Sequence, residues 1–204
     1  MKVDSRTGTS VDEVRYRLLG PMEVCVDGAP VRLPGTAERA LLAQLLLSPG
    51  RTIPTTMLVD RLWSESTLPV DPMNALQIRV SKLRRALKAM GVGDVVTRDG
   101  VGYRATIDPS TVDALDFADR IRAARAAAAN AADNGGIRPA HVQAYDDALS
   151  LWRGDPPNDV TVGRLATAER PPPAQHRLAA KNGRAHVAVA LGPHLVVIRR
   201  RTPD

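Results

Sequence analysis

The start of the chain shows a strand pattern interrupted by turn residues. Alternate residues from Met22 to Val26 are apolar, and Asp27-Gly28 follows as a tight-turn signal. The same two-residue period continues beyond this turn around Val31. The pattern predicts that the first domain opens with a small antiparallel sheet.

Three helical patterns follow, separated by short turn-rich segments. The first, TAERALLAQLLL, spaces its leucines three and four residues apart and ends at a Ser-Pro-Gly turn. RTIP has room for one short strand, and TTMLVDRLW predicts the second helix. The third helix, residues 72–90, has Asp71 as its N-cap and Pro72 in its first turn, and Gly91 ends it. Its apolar stripe, which is expected to face the core, consists of Leu76, Val80, Leu83 and Leu87.

The second half of the chain is rich in alanine and predicts helices. Apolar residues at helical spacing indicate one helix in VDALDFADRIRAARAAAANAADNGG and another in RPAHVQAYDDALSLWRGDPP. Two short antiparallel helices are typical of a helical-repeat unit. Farther along, three consecutive prolines, Pro171 to Pro173, must break any helix through them, and Asn182-Gly183 predicts a second interruption.

The third helix carries positive charge along one side and has no carboxylate between Pro72 and Met90. A solvated helix normally interleaves acids with its bases, and it places polar groups opposite the core stripe, where this helix has Ile78. A helix laid in the major groove of DNA explains both features, because phosphates attract cations and repel carboxylates. Together with a hairpin predicted over residues 95–107, the segment makes a winged helix-turn-helix. A helical wheel places on the outer face Asn74, Gln77, Ile78, Ser81, Lys82 and Arg85.

Composition narrows the choice of function. The 204 residues carry a net charge of +6, which favours a polyanionic partner, whereas 3% aromatic residues is few for a reader of single-stranded nucleic acid. A single cysteine excludes an intrachain disulfide framework, and no apolar run is long enough to span a membrane, so a cytoplasmic protein is expected. The histidines lack metal-ligand spacing and no nucleophile elbow is visible. The sequence therefore predicts no enzyme, no metal and no cofactor.

Two motifs resemble a known family. MNALQIRVSKLRRAL followed by RDGVGYR resembles the recognition helix and wing of the OmpR/PhoB-type winged-helix family. The helices behind them resemble the start of a bacterial transcriptional activation domain, and the pairing is similar to the antibiotic regulatory proteins of actinomycetes (SARP). The resemblance implies an α+β winged helix-turn-helix with an N-terminal antiparallel sheet and a C-terminal wing, followed by all-α tetratricopeptide-like helices. The expected domains are a disordered tail at 1–14, a DNA-binding domain at 15–108 and a partial activation domain at 113–204, with no clear pattern over 161–204.

The resemblance also implies roles for individual residues. Bases would be contacted by Gln77, Ile78 and Lys82. Phosphates would be contacted by Asn74, Arg79, Ser81, Arg84 and Arg85, although Arg79 lies nearer the core stripe than the others. In the wing, Arg98 and Arg104 would reach the adjacent minor groove or its phosphates. The loop that corresponds to the family's polymerase-contacting loop includes Ser64, Glu65, Ser66 and Thr67.

Three functions remain open at this point. The first is a sequence-specific activator of a secondary-metabolite (antibiotic) gene cluster, which binds double-stranded DNA at direct-repeat promoter sites and contacts RNA polymerase. Such a protein would act as a homodimer or as tandem monomers. The second is a helical-repeat adaptor whose basic half meets an acidic protein or the polymerase. The third is a DNA-binding competitor or repressor, because the activation domain of relatives is expected to continue for several more helices.

Overall fold

A computed structural model describes residues 13–63, 67–134, 136–154 and 173–191. The chain divides into two compact units. Unit 1 comprises Met1–Arg17 and Met22–Thr111, and unit 2 comprises Leu18–Pro21 and Val112–Asp204. Unit 1 holds the strands and the three helices of the predicted DNA-binding domain, and unit 2 is helical. This arrangement confirms the predicted fold class of a winged helix-turn-helix followed by an all-α region.

Unit 1 opens with a three-stranded antiparallel sheet. Its strands are β1 (Val14–Arg17), β2 (Glu23–Val26) and β3 (Ala29–Val31), in the order β1-β2-β3. Val26 pairs with Ala29, so the two residues between them, Asp27 (φ 50°) and Gly28 (φ 80°), form the predicted hairpin turn. Strand β1 begins at Val14, which is the last residue of the tail predicted for residues 1–14. The predicted tail therefore extends one residue into the strand. Residues 1–12 lie outside the described part of the chain.

Three helices form the centre of unit 1. They are α1 (Thr36–Leu46), α2 (Thr55–Leu62) and α3 (Pro72–Ala89), and the short strand β4 (Ile53–Pro54) lies between α1 and α2. Their leucines meet in one apolar core, as the helical spacing predicted. Among the side chains that are almost completely buried are Leu41, Leu42, Leu45, Leu46, Leu58, Leu76, Val80, Leu83 and Leu87.

Both ends of α3 follow from local chemistry. The Asp71 carboxylate accepts a hydrogen bond from the Asn74 backbone N–H at 3.0 Å, which satisfies one of the free donors of the first turn. Proline at the first helical position adds no unpaired N–H. At the other end, Gly91 adopts a φ of 79°, and the Val92 N–H donates to the Leu87 carbonyl at 3.0 Å, which closes the last turn.

The hairpin behind α3 forms the wing. Strands β5 (Val96–Asp99) and β6 (Gly102–Ala105) pair with each other, and β4 joins β6 from the other side, in the order β4-β6-β5. A Cβ at Gly102 would lie only 2.0 Å from the Ile53 carbonyl oxygen, so the close pairing of β4 with β6 requires glycine there. The predicted hairpin is confirmed, with its connection at Gly100 and Val101.

Unit 2 contains the helices α4 (Asp113–Asn134), α5 (Pro139–Leu149) and α6 (Pro173–Leu191). The first two lie where the apolar spacing predicted them. Phe117 and Trp152 meet edge to face with their ring centroids 5.7 Å apart, and both side chains are buried. Aromatic packing of this kind, together with small alanines, holds the helices together.

The interruption predicted at Asn182-Gly183 is wrong, because α6 runs through both residues. Gly183 has a packing role instead: a Cβ added there would lie 3.0 Å from Cε1 of the buried Tyr145 on α5. The missing side chain therefore lets α6 approach the tyrosine ring. Pro173 is the first residue of α6, a position where a proline does not break a helix.

The predicted boundary between 108 and 113 omits a small part of unit 2. The segment Leu18–Pro21 belongs to this unit. The Asp113 carboxylate accepts hydrogen bonds from the backbone N–H groups of Leu18 at 2.6 Å and Leu19 at 3.1 Å. Arg153 donates its backbone N–H to the Leu19 carbonyl at 2.9 Å. This segment from the strand region is therefore part of the helical unit and is hydrogen-bonded to it through Leu18 and Leu19.

Candidate nucleic-acid interface

The surface of α3 divides into a buried stripe and an exposed face. Opposite the four buried stripe residues, the Ile78 side chain is 47% exposed. We call the residues around it the reading face. All six are exposed, as the helical wheel predicted, and they are Asn74, Gln77, Ile78, Ser81, Lys82 and Arg85.

The cations of the reading face have no ion-pair partner among the residues that the structure describes. Within the described residues, no carboxylate forms an ion pair with Lys82, Arg85 or the neighbouring Lys88, whereas some exposed arginines of unit 2 have such a partner, as in the pair of Arg120 with Asp116 at 2.8 Å. Ser81 donates its hydroxyl to the Gln77 carbonyl at 2.9 Å within the helix. The face thus presents uncompensated positive charge, hydrogen-bonding groups and one apolar side chain.

Arg79 does not belong to this face, although the resemblance assigned it to phosphate contacts. Its Nη1 lies 3.8 Å from the Glu38 Oε1 on α1, and its guanidinium carbon lies 5.1 Å from the centre of the Trp63 ring. Only 32% of the Arg79 side chain is exposed, and the Glu38 side chain is 12% exposed. The guanidinium is therefore engaged between α1 and the end of α2, because residue 79 lies beside the buried stripe.

Arg84 lies at the junction of α3 and the wing. Its Nε–H donates to the Val96 carbonyl of β5 at 2.8 Å, and its guanidinium carbon lies 5.9 Å from the centre of the Tyr103 ring. The guanidinium of Arg98 lies at the same distance from that ring. One buried tyrosine therefore brings a cation of α3 and a cation of the wing into one region.

The two predicted wing arginines differ in their surroundings. Arg98 pairs with Tyr103 across the hairpin, so successive residues place Arg104 on the opposite face of the strands. Arg98 is exposed, whereas Arg104 lies 3.5 Å from the Asp99 carboxylate, which also accepts a hydrogen bond from the Thr52 hydroxyl. The structure does not bring these two arginines together, and Arg104 contributes to the internal order of the hairpin.

Sequence reasoning missed Glu38 and the part that Trp63 and Tyr103 have in arranging the cations. An acidic residue on α1 has no local signal that links it to an arginine on α3.

Of the predicted polymerase-contacting loop, Ser64, Glu65 and Ser66 lie outside the described residues, and Thr67 is exposed. In the described ranges, no group of three His, Cys, Asp or Glu side chains could hold a metal ion, and no helix is long and apolar enough to cross a membrane.

Two family models match the chain, one on each unit. The family described as "Transcriptional regulatory protein, C terminal" matches residues 28–105, which include α1 to β6 and the whole reading face. The family described as "Bacterial transcriptional activator domain" matches residues 112–202, which begin where the main part of unit 2 begins.

The chain is also similar to individual regulatory proteins. MoaR1, a transcriptional regulatory protein of Mycobacterium tuberculosis, is 30% identical over 72% of this chain and 46% of its own length. The regulatory protein DnrI of Streptomyces peucetius is 26% identical over 89% of this chain and 67% of its own length. A solved structure, Mycobacterium tuberculosis EmbR in complex with low affinity phosphopeptide, has a TM-score of 0.72 at 27% identity and covers 90% of this chain and 48% of that chain.

This chain belongs to the SARP-type transcriptional regulators. The matched families and relatives are described as transcriptional regulators or regulatory proteins, which agrees with the prediction of a non-enzyme. This regulator spans about half the length of the MoaR1 and EmbR chains.

Proposed function

We propose that this regulator binds double-stranded DNA sequence-specifically, with α3 in the major groove. The observation that carries the proposal is the reading face, an exposed, acid-free helix surface whose cations have no partner among the described residues. Duplex DNA carries one negative charge per roughly 1.7 Å of its axis, so a helix with this charge pattern gains free energy by displacing condensed counterions.

Within this proposal, Gln77, Ile78 and Lys82 face base edges, because they lie at the centre of the exposed face. Side-chain amides and amines can hydrogen-bond to base edges in the major groove, where each base pair has its own pattern of donors and acceptors. The residues proposed to contact phosphates are Asn74, Ser81, Arg84 and Arg85. Arg79 is left out of the set because Glu38 already binds its guanidinium.

The wing supplies a second contact. Arg98 is exposed beside the Tyr103 ring and lies on the wing, the hairpin that comes directly after α3. This position supports a contact with the neighbouring phosphates or minor groove. Arg104 is a weaker candidate because Asp99 already compensates part of its charge.

The output that we propose is activation of a secondary-metabolite gene cluster. The match of unit 2 to an activator domain and the alignment with the regulatory protein DnrI support this output. In this proposal the protein works in the bacterial cytoplasm, binds direct repeats about one helical turn apart as a homodimer or as tandem monomers, and contacts RNA polymerase. A reporter assay with the full chain separates activation from mere occupation of the promoter.

The decisive experiment selects duplexes bound by the full chain from a random pool at physiological salt. We expect an enriched motif with a fixed period. Lys82→Ala should relax the preference at one position of that motif, whereas Lys181→Ala, which removes an exposed charge from α6, should leave the motif unchanged. Equal binding to all duplexes would contradict sequence-specific recognition.

A further inference from the structure

Ile78 is the one reading-face residue whose side chain is purely apolar. It is 47% exposed, and the residues one turn before and after it, Asn74 and Lys82, are polar and exposed as well. Leaving this side chain in water forgoes the free energy that its burial would contribute. The apolar group therefore lies in the middle of a surface that is otherwise suited to a polyanion.

The chemistry of the major groove limits what such a side chain can contact. Phosphates and most base-edge groups are polar, and the one methyl group displayed there is the 5-methyl of thymine. The surrounding cations bring the helix to the phosphates, so an apolar residue at the centre of the face meets the base edges. Ile is also stiff, because a β-branched side chain in a helix has one strongly preferred χ1 rotamer. Its contact surface is therefore positioned before binding.

We propose that Ile78 recognises the 5-methyl group of a thymine at one fixed position of the binding site. The inference rests on the proposed function, because it requires α3 to lie in the major groove. The inference goes beyond the proposed function because it assigns one residue to one chemical group of the DNA. The same methyl group occurs in 5-methylcytosine, so the contact reads a pyrimidine methyl group, which in unmodified DNA belongs to thymine.

The test uses the full chain and a duplex from the random-pool selection. Each thymidine of that duplex is replaced in turn by deoxyuridine, which removes only the methyl group. We expect one replacement to weaken binding by wild-type protein about fourfold, the effect of one lost buried methyl or methylene group. The variant Ile78→Ala should bind the two duplexes equally, and it should fold, because the position is exposed and alanine favours helix. Leu178→Ala, which shortens a 62% exposed side chain on α6, should keep the wild-type discrimination.

A second arm distinguishes the methyl group from the rest of the base pair. At the sensitive position, the T·A pair is replaced by C·G or by 5-methylcytosine·G. Wild-type protein should bind the methylated duplex about fourfold more tightly than the unmethylated one, and Ile78→Ala should not.

Failure of the methyl contact and failure of the proposed function give different results. If every deoxyuridine duplex binds wild-type protein as well as its parent does while Lys82→Ala still alters the motif, the methyl contact is refuted and the proposed function stands. If Ile78→Ala keeps the discrimination, another residue reads the methyl group and the assignment is refuted. If no motif is selected at all, sequence-specific binding fails and the inference fails with it.

Discussion

The Nη1 of Arg79 lies 3.8 Å from the Oε1 of Glu38, so an arginine of α3 has its counterion inside the protein. Trp63 lies against the same guanidinium, with its ring centre 5.1 Å from the guanidinium carbon. This contact connects α3 to α1 and to the end of α2. Positive charge on α3 therefore has two roles, since one arginine organises unit 1 while the reading face remains available to a ligand.

This division predicts different effects of charge removal on DNA binding. Arg85→Ala should make the slope of log affinity against log salt shallower by about 0.9, if its guanidinium displaces one counterion from a phosphate. Arg79→Ala should leave this slope unchanged. It should instead lower the free energy of unfolding by about 1–3 kcal/mol, because it leaves the buried Glu38 carboxylate without its cation. Binding titrations at several salt concentrations and urea unfolding measure the two effects.

Glu38→Gln provides the control for this prediction. It removes the same ion pair from the α1 side and changes no residue of α3, so it should destabilise unit 1 and keep the wild-type salt slope. A shallower slope for Arg79→Ala but not for Glu38→Gln would show that Arg79 reaches phosphate despite its contact with Glu38.

Replacing the two wing arginines, Arg98 and Arg104, should have different effects on DNA binding and on the stability of the hairpin. Arg98→Ala removes an exposed cation and should weaken DNA binding with a shallower salt slope, while the melting temperature changes little. Arg104→Ala removes the partner of Asp99 and should loosen the hairpin, with a smaller change in slope. Amide hydrogen exchange in β5 and β6 measures the second effect. Equal slopes and equal exchange rates for the two variants would contradict the assignment.

The absence of a side chain at Gly183 should be required for the packing of α6. Gly183→Val places new atoms against the buried ring of Tyr145, so we expect unit 2 to lose about 1–3 kcal/mol relative to Asn182→Val. The control introduces the same residue at the adjacent, exposed helical position. Since Trp152 lies in unit 2, its fluorescence in a Trp63→Phe background reports unfolding of this unit. Equal stability of the two valine variants would refute the packing role.

The parts of the fold that could be predicted depend on local signals. The bounds of α3 follow from Asp71 and Gly91, which lie next to the helix ends that they cap. The buried stripe and the exposed Ile78 follow from the 3.6-residue period. These features carry their information within a few residues of sequence, so they are visible without knowledge of the tertiary structure.

The parts that could not be predicted depend on contacts between residues far apart in the chain. Gly183 resembles a helix end in sequence, and only the position of Tyr145 shows that it permits close packing. The pairing of Glu38 with Arg79 likewise requires the packing of α1 against α3. The segment Leu18–Pro21 follows a strand in sequence and belongs to the helical unit in space. Local propensity contains none of this information.

Asp113, whose carboxylate binds the segment Leu18–Pro21, should make the stability of unit 2 depend on pH. Burial raises the pKa of this carboxyl, and the hydrogen bonds from Leu18 and Leu19 and the charge of Arg153 offset only part of the rise. Because the folded state holds the proton more tightly than the unfolded state, the contribution of Asp113 to stability falls as pH rises from about 3.9, the unfolded pKa, to the raised folded pKa. Above that pKa the contribution is constant.

Asp113→Asn removes this titration and keeps an oxygen that can accept a backbone N–H. The free energy of unfolding of wild-type protein minus that of the variant should therefore decrease as pH rises from about 4 and then level off. Urea unfolding followed by Trp152 fluorescence in the Trp63→Phe background measures this difference. A difference that increases with pH would mean that the hydrogen bonds and Arg153 outweigh the cost of burying the charge.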